Sequence, residues 1–168
     1  MALLGKILMW AAIGLVALFI GWQLFLVVRS GALEREWGTP VDFATLELGW
    51  KPNQFLVAPP GATKAQPHAA APVFAAPPEA LRDALLAVIA AEPSATVLER
   101  SADGLAFTAV QRTRLMRFPD FIAVEIRPVE GGSTVLVYSR SVFGVRDFDV
   151  NRMRVERWLA AAQARLGT

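Results

Sequence analysis

The pattern of hydrophobic and polar positions sets an apolar segment near the N-terminus apart from the rest of the chain. Ile7 to Val28 is almost uninterrupted, with Gln23 as its one strongly polar member. About 20 helical residues cross a hydrocarbon core of about 30 Å, and this run of about 22 residues is long enough. It ends in bulky side chains, unlike a signal-peptide cleavage site. We therefore predict an uncleaved single-pass transmembrane anchor over residues 1–30, with a buried soluble helix as the alternative.

Residues 31–78 show weaker periodicity. GALEREWG, residues 31–38, suits a short interfacial helical turn, and the alternation in VDFATLEL, residues 41–48, predicts a short strand. Lys51 to Pro78 contains many prolines, which rules out a long periodic element and predicts an extended connector. Within it, residues 55–57 (FLV) are apolar enough to dock on the domain. The whole segment is interpreted as a juxtamembrane region and a connector.

The last part of the chain alternates between helical and strand patterns. Pro78 to Ala91 has a helical apolar stripe, and Val150 to Leu166 forms a second predicted helix. Four strands are predicted between them, with hairpin signals at residues 102–104 and 130–132: Thr96–Arg100, Leu105–Arg114, Phe121–Pro128 and Thr134–Val142. The order predicts an α+β domain over residues 79–168, a small antiparallel sheet of about four or five strands packed by two helices on one face.

Charge and composition narrow the function. The net charge of +2 comes from Lys6 and Arg29 beside the apolar run, so the remainder is balanced and nucleic-acid binding is not predicted. The absence of cysteine excludes disulfides, thiol catalysis and cysteine metal sites. The single histidine, His68, lies in the predicted connector without a second ligand nearby. We predict no metal, no cofactor and no catalytic triad.

The predicted anchor implies a lipid bilayer as partner and allows a second one. Gly14, Ala17 and Gly21 share one stripe of the helix, which would permit close packing against another membrane helix. The N-terminal amine and Lys6 precede the apolar run, and we expect them on the cytoplasmic side. The domain is then expected on the periplasmic side of the inner membrane.

Arginines recur in the predicted strands. Arg112 and Arg114 lie two residues apart on one face of a strand, and Arg140 and Arg146 come from a neighbouring strand and turn. If they converge, their guanidinium groups would bind a carboxylate or phosphate. The alternative is a solvated face on which the arginines pair with acidic residues. The candidate partners are Asp120, Glu125 and Asp147.

The turn before the last helix reads D-x-D-x-N at Asp147, Asp149 and Asn151. A calcium loop would need glycine and glutamate where Arg152 and Trp158 stand, so that reading is rejected. One aspartate is expected to cap the helix instead. We further expect four side chains to meet at one end of the sheet: Arg140, Asp147, Asn151 and Arg154.

Three stretches resemble a known family: KPNQFLVAPPG, FPD at residues 118–120, and YSRSVFGVRDFDVNRMRVERWL. Together they make residues 53–159 similar to the bacterial and plastid family catalogued as domain of unknown function 1499. The chain departs from it in lacking a cysteine near Val57–Gly61 and in carrying Asp149 where glycine is usual. The resemblance implies an uncharacterised, often membrane- or envelope-associated domain. The family pattern is matched by Arg140, Ser141, Gly144, Asp147, Asn151 and Arg154.

These features together predict a membrane-anchored, non-enzymatic module that binds a partner protein or an anionic or amphipathic ligand. One alternative is an accessory subunit of a larger membrane complex, packed through the small residues of the helix. Another is an enzyme that acts on an anionic substrate through an arginine–aspartate cluster. The candidate ligand-binding residues are Arg112, Arg114, Arg140, Asp147, Asn151 and Arg154.

Overall fold

Residues 2–167, which the computed structural model describes, contain three helices and a seven-stranded mixed sheet, so the predicted α+β class is confirmed. The helices are α1 (Ala2–Trp37), α2 (Pro78–Ala91) and α3 (Val150–Leu166). The strands are β1 (Gln54–Ala58), β2 (Ala69–Ala70), β3 (Val73–Phe74), β4 (Ala95–Arg100), β5 (Ala106–Arg112), β6 (Pro119–Val129) and β7 (Gly132–Ser141).

The sheet is larger than predicted because the proline-rich segment belongs to it. The strand order is β2-β1-β7-β6-β5-β4, with β3 also paired to β7, and only the β1–β2 pair is parallel. β1 occupies the proline-free stretch between Pro52 and Pro59, and the two short strands lie on either side of Pro72. The connector prediction is therefore wrong: the domain begins before residue 79, and the docking of residues 55–57 takes the form of a paired strand.

The two faces of the sheet are covered by different parts of the chain. α2 and α3 pack on the front face, as predicted, around a core that includes Phe107, Ile122 and Trp158. The back face is covered by Phe43 and Leu46 and by the end of α1. Because both faces are covered, β1 is buried on both of its sides.

The strand predicted at residues 41–48 is wrong. The segment is irregular, although its apolar positions Phe43 and Leu46 are buried as the alternation suggested. Asp42 Oδ1 accepts a hydrogen bond from the Ala44 N–H at 3.0 Å, and its Oδ2 accepts one from Thr45 Oγ1 at 2.8 Å. An aspartate that binds its own backbone two residues on favours a turn over an extended strand.

α1 is one continuous helix of 36 residues, so the predicted separate turn at residues 31–38 is its C-terminal end. Residues 3–21 are exposed on all sides, whereas later residues contact the domain at helical spacing, including Leu26 and Leu33. The helix ends at Trp37, and the N–H of the following Gly38 donates to the Glu34 carbonyl at 2.9 Å. A Cβ at Gly38 would lie 2.6 Å from Leu98 Cδ1, so glycine permits this close contact with the sheet.

Candidate functional site

The motif residues at the start of α3 form a buried polar network against the front face of the sheet. Arg154 Nη2 lies 2.5 Å from Asp120 Oδ2 on β6, and both side chains are only 4% exposed. The Arg154 Nε donates to Gln111 Oε1 at 2.6 Å, and its Nη1 donates to Ser139 Oγ at 3.0 Å. A buried ion pair is stable only when its remaining hydrogen-bonding groups are also satisfied. Here one helical arginine is bonded to β5, β6 and β7 at once.

Asn151 joins three further segments in the same network. Its Nδ2 lies within hydrogen-bonding distance of the Asn53 carbonyl oxygen (3.1 Å), Ser141 Oγ (2.9 Å) and Asp147 Oδ2 (2.6 Å). Its Oδ1 accepts from Ser139 Oγ at 2.6 Å and from Arg154 Nη1 at 2.8 Å. Asn53 in turn donates to the carbonyl of Gly144 at 3.0 Å. The network therefore connects the beginning of β1, the end of β7 and the start of α3.

Of the two aspartates considered as helix caps, Asp147 caps α3. Its Oδ2 accepts the backbone N–H of Asn151 at 2.9 Å. Asp149 is in the left-handed region, with φ of 62°, and its side chain makes no capping hydrogen bond. A positive φ is the conformation that glycine adopts without a steric penalty. Glycine would therefore suit the backbone at this position better than aspartate does.

Replacing Asp149 with glycine is expected to raise the free energy of unfolding by about 0.5–1 kcal/mol, because the left-handed backbone strain is relieved. Asp149→Ala is expected to lower it, because alanine tolerates the left-handed region less well than aspartate does. Thermal unfolding of the full chain in detergent, followed by circular dichroism, measures both. A glycine variant that melts below the parent would contradict this account.

The predicted arginine cluster is divided between the two faces of the sheet. Ser139 and Ser141 face α3, so Arg140 between them points to the back face. There its guanidinium lies 5.0 Å from the Trp37 ring centroid and 5.2 Å from that of Tyr138. The expected meeting of its side chain with those of the start of α3 is therefore wrong, although the other three expected residues do meet.

Arg112 also faces α1, where its Nη2 lies 2.5 Å from Glu34 Oε1. This pairing differs from those considered in the sequence, because Asp120 is taken by Arg154 and Glu125 binds Arg127 at 2.6 Å. The two back-face arginines, Arg112 and Arg140, thus attach the end of α1 to the sheet.

A groove lies at the end of the sheet where β5 turns into β6, the turn that contacts Trp22 and Gln23 of α1. It has a volume of about 510 Å³ and lies between the end of α2 and the start of α3, next to the ends of β4 and β5. Four arginines line it together with the apolar side chains of Pro93, Val150 and Met153. Three of the four were predicted site residues, and the full set is Arg112, Arg114, Arg154 and Arg157.

Glu92 holds two residues that line this groove, Arg157 and Gln111, in place. Both of its carboxylate oxygens bind Arg157, at 3.0 and 2.8 Å, and Gln111 Nε2 donates to it at 3.1 Å. Burial raises the pKa of Glu92, but the hydrogen bonds from Arg157 and Gln111 outweigh it and hold the pKa below the ordinary glutamate value. By contrast, Arg114 is exposed and pairs with no acid among residues 2–167. It is therefore a guanidinium available to a ligand.

His68, placed in the connector by the sequence, is part of the sheet edge. Its ring Nδ1 accepts a hydrogen bond from the backbone N–H of Leu56 at 3.0 Å, and the backbone N–H of His68 donates to the Leu56 carbonyl at 2.8 Å. Burial lowers the pKa of His68, which favours the neutral ring that this hydrogen bond requires. The interaction gives His68 a structural role beside β1.

The predicted helix-packing stripe lies on the exposed part of α1. Gly14, Ala17 and Gly21 border one open surface with Trp22 and Phe25. A Cβ added at Gly14 or Gly21 would meet nothing within 4 Å in the part of the chain that the structure describes. The face is therefore available for contact.

Several residues of the network were not predicted. Ser139 follows a run of buried apolar residues in β7 and is itself fully buried. A polar side chain on the inward face of such a strand needs a partner, and this signal was available in the sequence. Gln111 and Asn53 carried no comparable signal, because their partners come from distant segments.

Fold and network together define an α+β domain closed by a strand-to-helix motif and preceded by a helix long and apolar enough to cross a membrane. Only 6% of the apolar window of that helix is buried, unlike a core helix of a soluble protein, although a signal sequence would also have this composition. The chain belongs to the family described as "Protein of unknown function (DUF1499)", whose model matches residues 47–161. That range includes β1 and agrees with a domain that begins before residue 79.

No curated protein matches the sequence. Among solved structures, the X-ray crystal structure of protein CV1439 from Chromobacterium violaceum is similar at 14% identity and a TM-score of 0.41. The similarity covers 70% of this chain and 99% of that one. It is too low to bear on fold or function.

Proposed function

We propose that this chain is a single-pass membrane protein whose domain is held at the bilayer by a rigid helix and binds an anionic amphiphile without catalysing a reaction. The observation that carries the proposal is the groove of about 510 Å³ at the end of the domain from which α1 emerges. The exposed Arg114, unpaired with any acid in the described part of the chain, lines it, and the exposed apolar side chains of Val150 and Met153 border it.

The length of the exposed part of α1 supports the membrane anchor. Leu3 to Gly21 covers about 19 residues, which at about 1.5 Å each measure roughly 28 Å, close to the hydrocarbon thickness of about 30 Å. Lys6 lies within the first turn of this part, where its long side chain can reach the headgroups at the N-terminal end. A removable signal sequence has no need to pack on the mature domain. Here the second half of the same helix does so through Leu26 and Leu33. We also propose that the domain lies on the periplasmic side of the inner membrane, following the charges around the apolar run.

The chemistry of the groove supports the ligand class. Guanidinium groups bind carboxylate and phosphate oxygens with paired, charge-assisted hydrogen bonds. Ligand sites of this size combine a largely apolar lining with a few placed polar groups. Exposed Arg114 supplies a free charge, while Pro93, Val150 and Met153 supply apolar surface. A molecule with an anionic head and an acyl chain fits this combination.

The buried network supports a role without catalysis. Asp120, Asn151 and Arg154 are buried and are hydrogen-bonded to one another or to the sheet. A reacting group has to be reachable by substrate, and these side chains are committed to joining α3 to the sheet. The sequence motif is thus better explained by stability than by chemistry.

Native mass spectrometry of the full chain in mild detergent tests the proposal, with lysophosphatidylglycerol and lysophosphatidylcholine as probes. We expect the anionic lipid to bind preferentially. Arg114→Gln is expected to weaken it about ten- to hundredfold, because a hydrogen bond to a charged group contributes about 1.5–3 kcal/mol. Arg152→Gln is the matched control, because Arg152 lies outside the groove and pairs with Glu156. Equal binding of the two lipids, or equal effects of the two variants, would contradict the proposal.

A further inference from the structure

We propose that the end of the domain from which α1 emerges is seated in the membrane interface and that its partner is a bilayer surface with anionic headgroups. This inference rests on the proposed transmembrane anchor, and it concerns a surface that adjoins the groove and shares Arg114, Val150 and Met153 with it. The surface, called here the membrane-facing end, consists of residues 49–53, the β5–β6 turn at residues 113–118 and the β7–α3 loop at residues 142–149.

The β5–β6 turn is held at the level where α1 leaves the domain. Trp22 Nε1 donates to the Met116 carbonyl at 2.9 Å, and Gln23 Nε2 donates to the Leu115 carbonyl at 3.2 Å. This explains the one strongly polar residue of the apolar run: its partner is the turn. The fully exposed part of α1, residues 3–21, ends directly before Trp22. If that part spans the hydrocarbon core, the turn lies at the headgroup boundary.

Aromatic packing places the β7–α3 loop beside the same point. The Trp22 ring lies 5.4 Å from that of Phe118 in the turn and 5.6 Å from that of Phe143 in the loop. Phe118 and Phe143 are themselves 5.7 Å apart. The β5–β6 turn and the β7–α3 loop therefore both pack on Trp22 of α1, and we expect both to lie at the headgroup boundary.

Exposed apolar side chains are concentrated at this end. Outside α1, eight large hydrophobic residues are exposed in the described part of the chain, and six of them lie in these segments or on the first turn of α3. The six are Trp50, Leu115, Val145, Phe148, Val150 and Met153. Phe148 is 87% exposed and Leu115 69%. Scattered apolar residues need no explanation, but a cluster beside an apolar helix indicates a contact surface.

The charges of the membrane-facing end suit anionic headgroups. Its basic residues outnumber its acidic ones four to two, and Asp147 is already occupied by Asn151. None of the four basic residues forms an ion pair with an acid between residues 2 and 167. They are Lys51, Arg114, Arg117 and Arg146. Such side chains place their apolar stems among acyl chains while the charge stays at the phosphates.

A cleft between α1 and the turn offers a specific place for one headgroup. Its volume is about 200 Å³, and Leu26 and Val27 of the helix face Arg112 and Arg117 across it. Arg117 holds a left-handed backbone, with φ of 59°, at the end of the turn. A lipid is favoured over a protein as occupant because the helix that carries this end also fixes its height at the bilayer surface.

Spin labels on the full-length chain test the inference, and the absence of cysteine makes single-site labelling clean. Nitroxides are attached to Leu115→Cys and Phe148→Cys, with Val129→Cys at the opposite hairpin and Leu15→Cys in α1 as references. Collision rates with oxygen and with a water-soluble nickel chelate are measured in phosphatidylglycerol nanodiscs. We expect Leu15 to report the bilayer interior, Val129 to report water, and Leu115 and Phe148 to report the interface. Nickel accessibility at these two sites is expected to be at least about fivefold below that of Val129.

The outcomes separate this inference from the anchor. If Leu15 reports the bilayer interior while Leu115 and Phe148 are as accessible to nickel as Val129, the interface contact is overturned and the anchor stands. If Leu15 also reports water, both are overturned. In phosphatidylcholine nanodiscs, we expect nickel accessibility at Leu115 and Phe148 to rise several-fold. Unchanged accessibility would overturn the requirement for anionic headgroups.

Discussion

Replacing Arg154 with methionine is expected to lower the free energy of unfolding by about 3–5 kcal/mol, the cost of leaving a buried charge without its partner. Asp120 would lose its ion pair inside the domain, and Gln111 would lose the hydrogen bond from the Arg154 Nε. For a domain of this size, the melting temperature is expected to fall by at least about 10 °C. Thermal unfolding of the full chain in detergent, followed by circular dichroism, measures this.

Arg157→Met is the matched control, because Arg157 lies one turn later on α3 and its side chain is 54% exposed. Its loss is expected to cost about 1 kcal/mol or less. Changing both partners, Asp120→Leu with Arg154→Met, is expected to recover part of the stability, because no buried charge then remains unpaired. If Arg154→Met behaves like the Arg157 control, the network does not stabilise the domain as described.

Introducing proline at Val28 is expected to uncouple the exposed part of α1 from the domain. Proline removes a backbone hydrogen bond within the helix and clashes with the preceding turn, at a cost of about 3 kcal/mol or more. Electron–electron distance measurements between labels at Leu15→Cys and Val129→Cys read out the effect. The parent chain is expected to give a narrow distance distribution, and Val28→Pro a broad or shifted one.

Val28→Ala is the control for this experiment. The Val28 side chain is 81% exposed, so its truncation removes little packing and keeps the helical backbone intact. We expect the alanine variant to reproduce the parent distribution. A distribution that is broad already in the parent, or narrow in the proline variant, would show that α1 is not the rigid support described above.

The helices of the domain could be predicted from the sequence because their periodicity is local. The predicted bounds of α2 and α3 agree with the structure, and the four long strands were placed within a few residues of their positions. β1 could not be predicted, because its partner β7 lies far along the chain and its flanking prolines resemble those of a connector. α1 was predicted to stop too early, at residue 30, because Arg29, Ser30 and Gly31 interrupt the apolar run. The buried stripe nevertheless continues from Leu26 to Leu33.

The candidate site was predicted only in part, because the sequence does not show which face of β7 each of its last polar residues points to. At the end of β7 three successive residues, Ser139, Arg140 and Ser141, are all polar, so alternation does not reveal which face is buried. Ser139 points to the buried face because its Oγ hydrogen-bonds Asn151 and Arg154 on α3. The positions of these two residues depend on tertiary packing. The groove depends on the same packing, since it forms only where the end of α2 meets the start of α3.

The pairing of β1 with β7 also sets the order in which the protein can assemble during synthesis. Gln54 is opposite Arg140, so β1 cannot pair with β7 until about 86 further residues have been synthesised. At 5–20 residues per second this takes roughly 4–17 s. α1 precedes β1 and is available to the membrane throughout this interval. If α1 spans the bilayer as proposed, the chain holds β1 without its β7 partner close to the lipid surface until its last third is made. Quality control by chaperones and proteases is expected to act on this half-synthesised state.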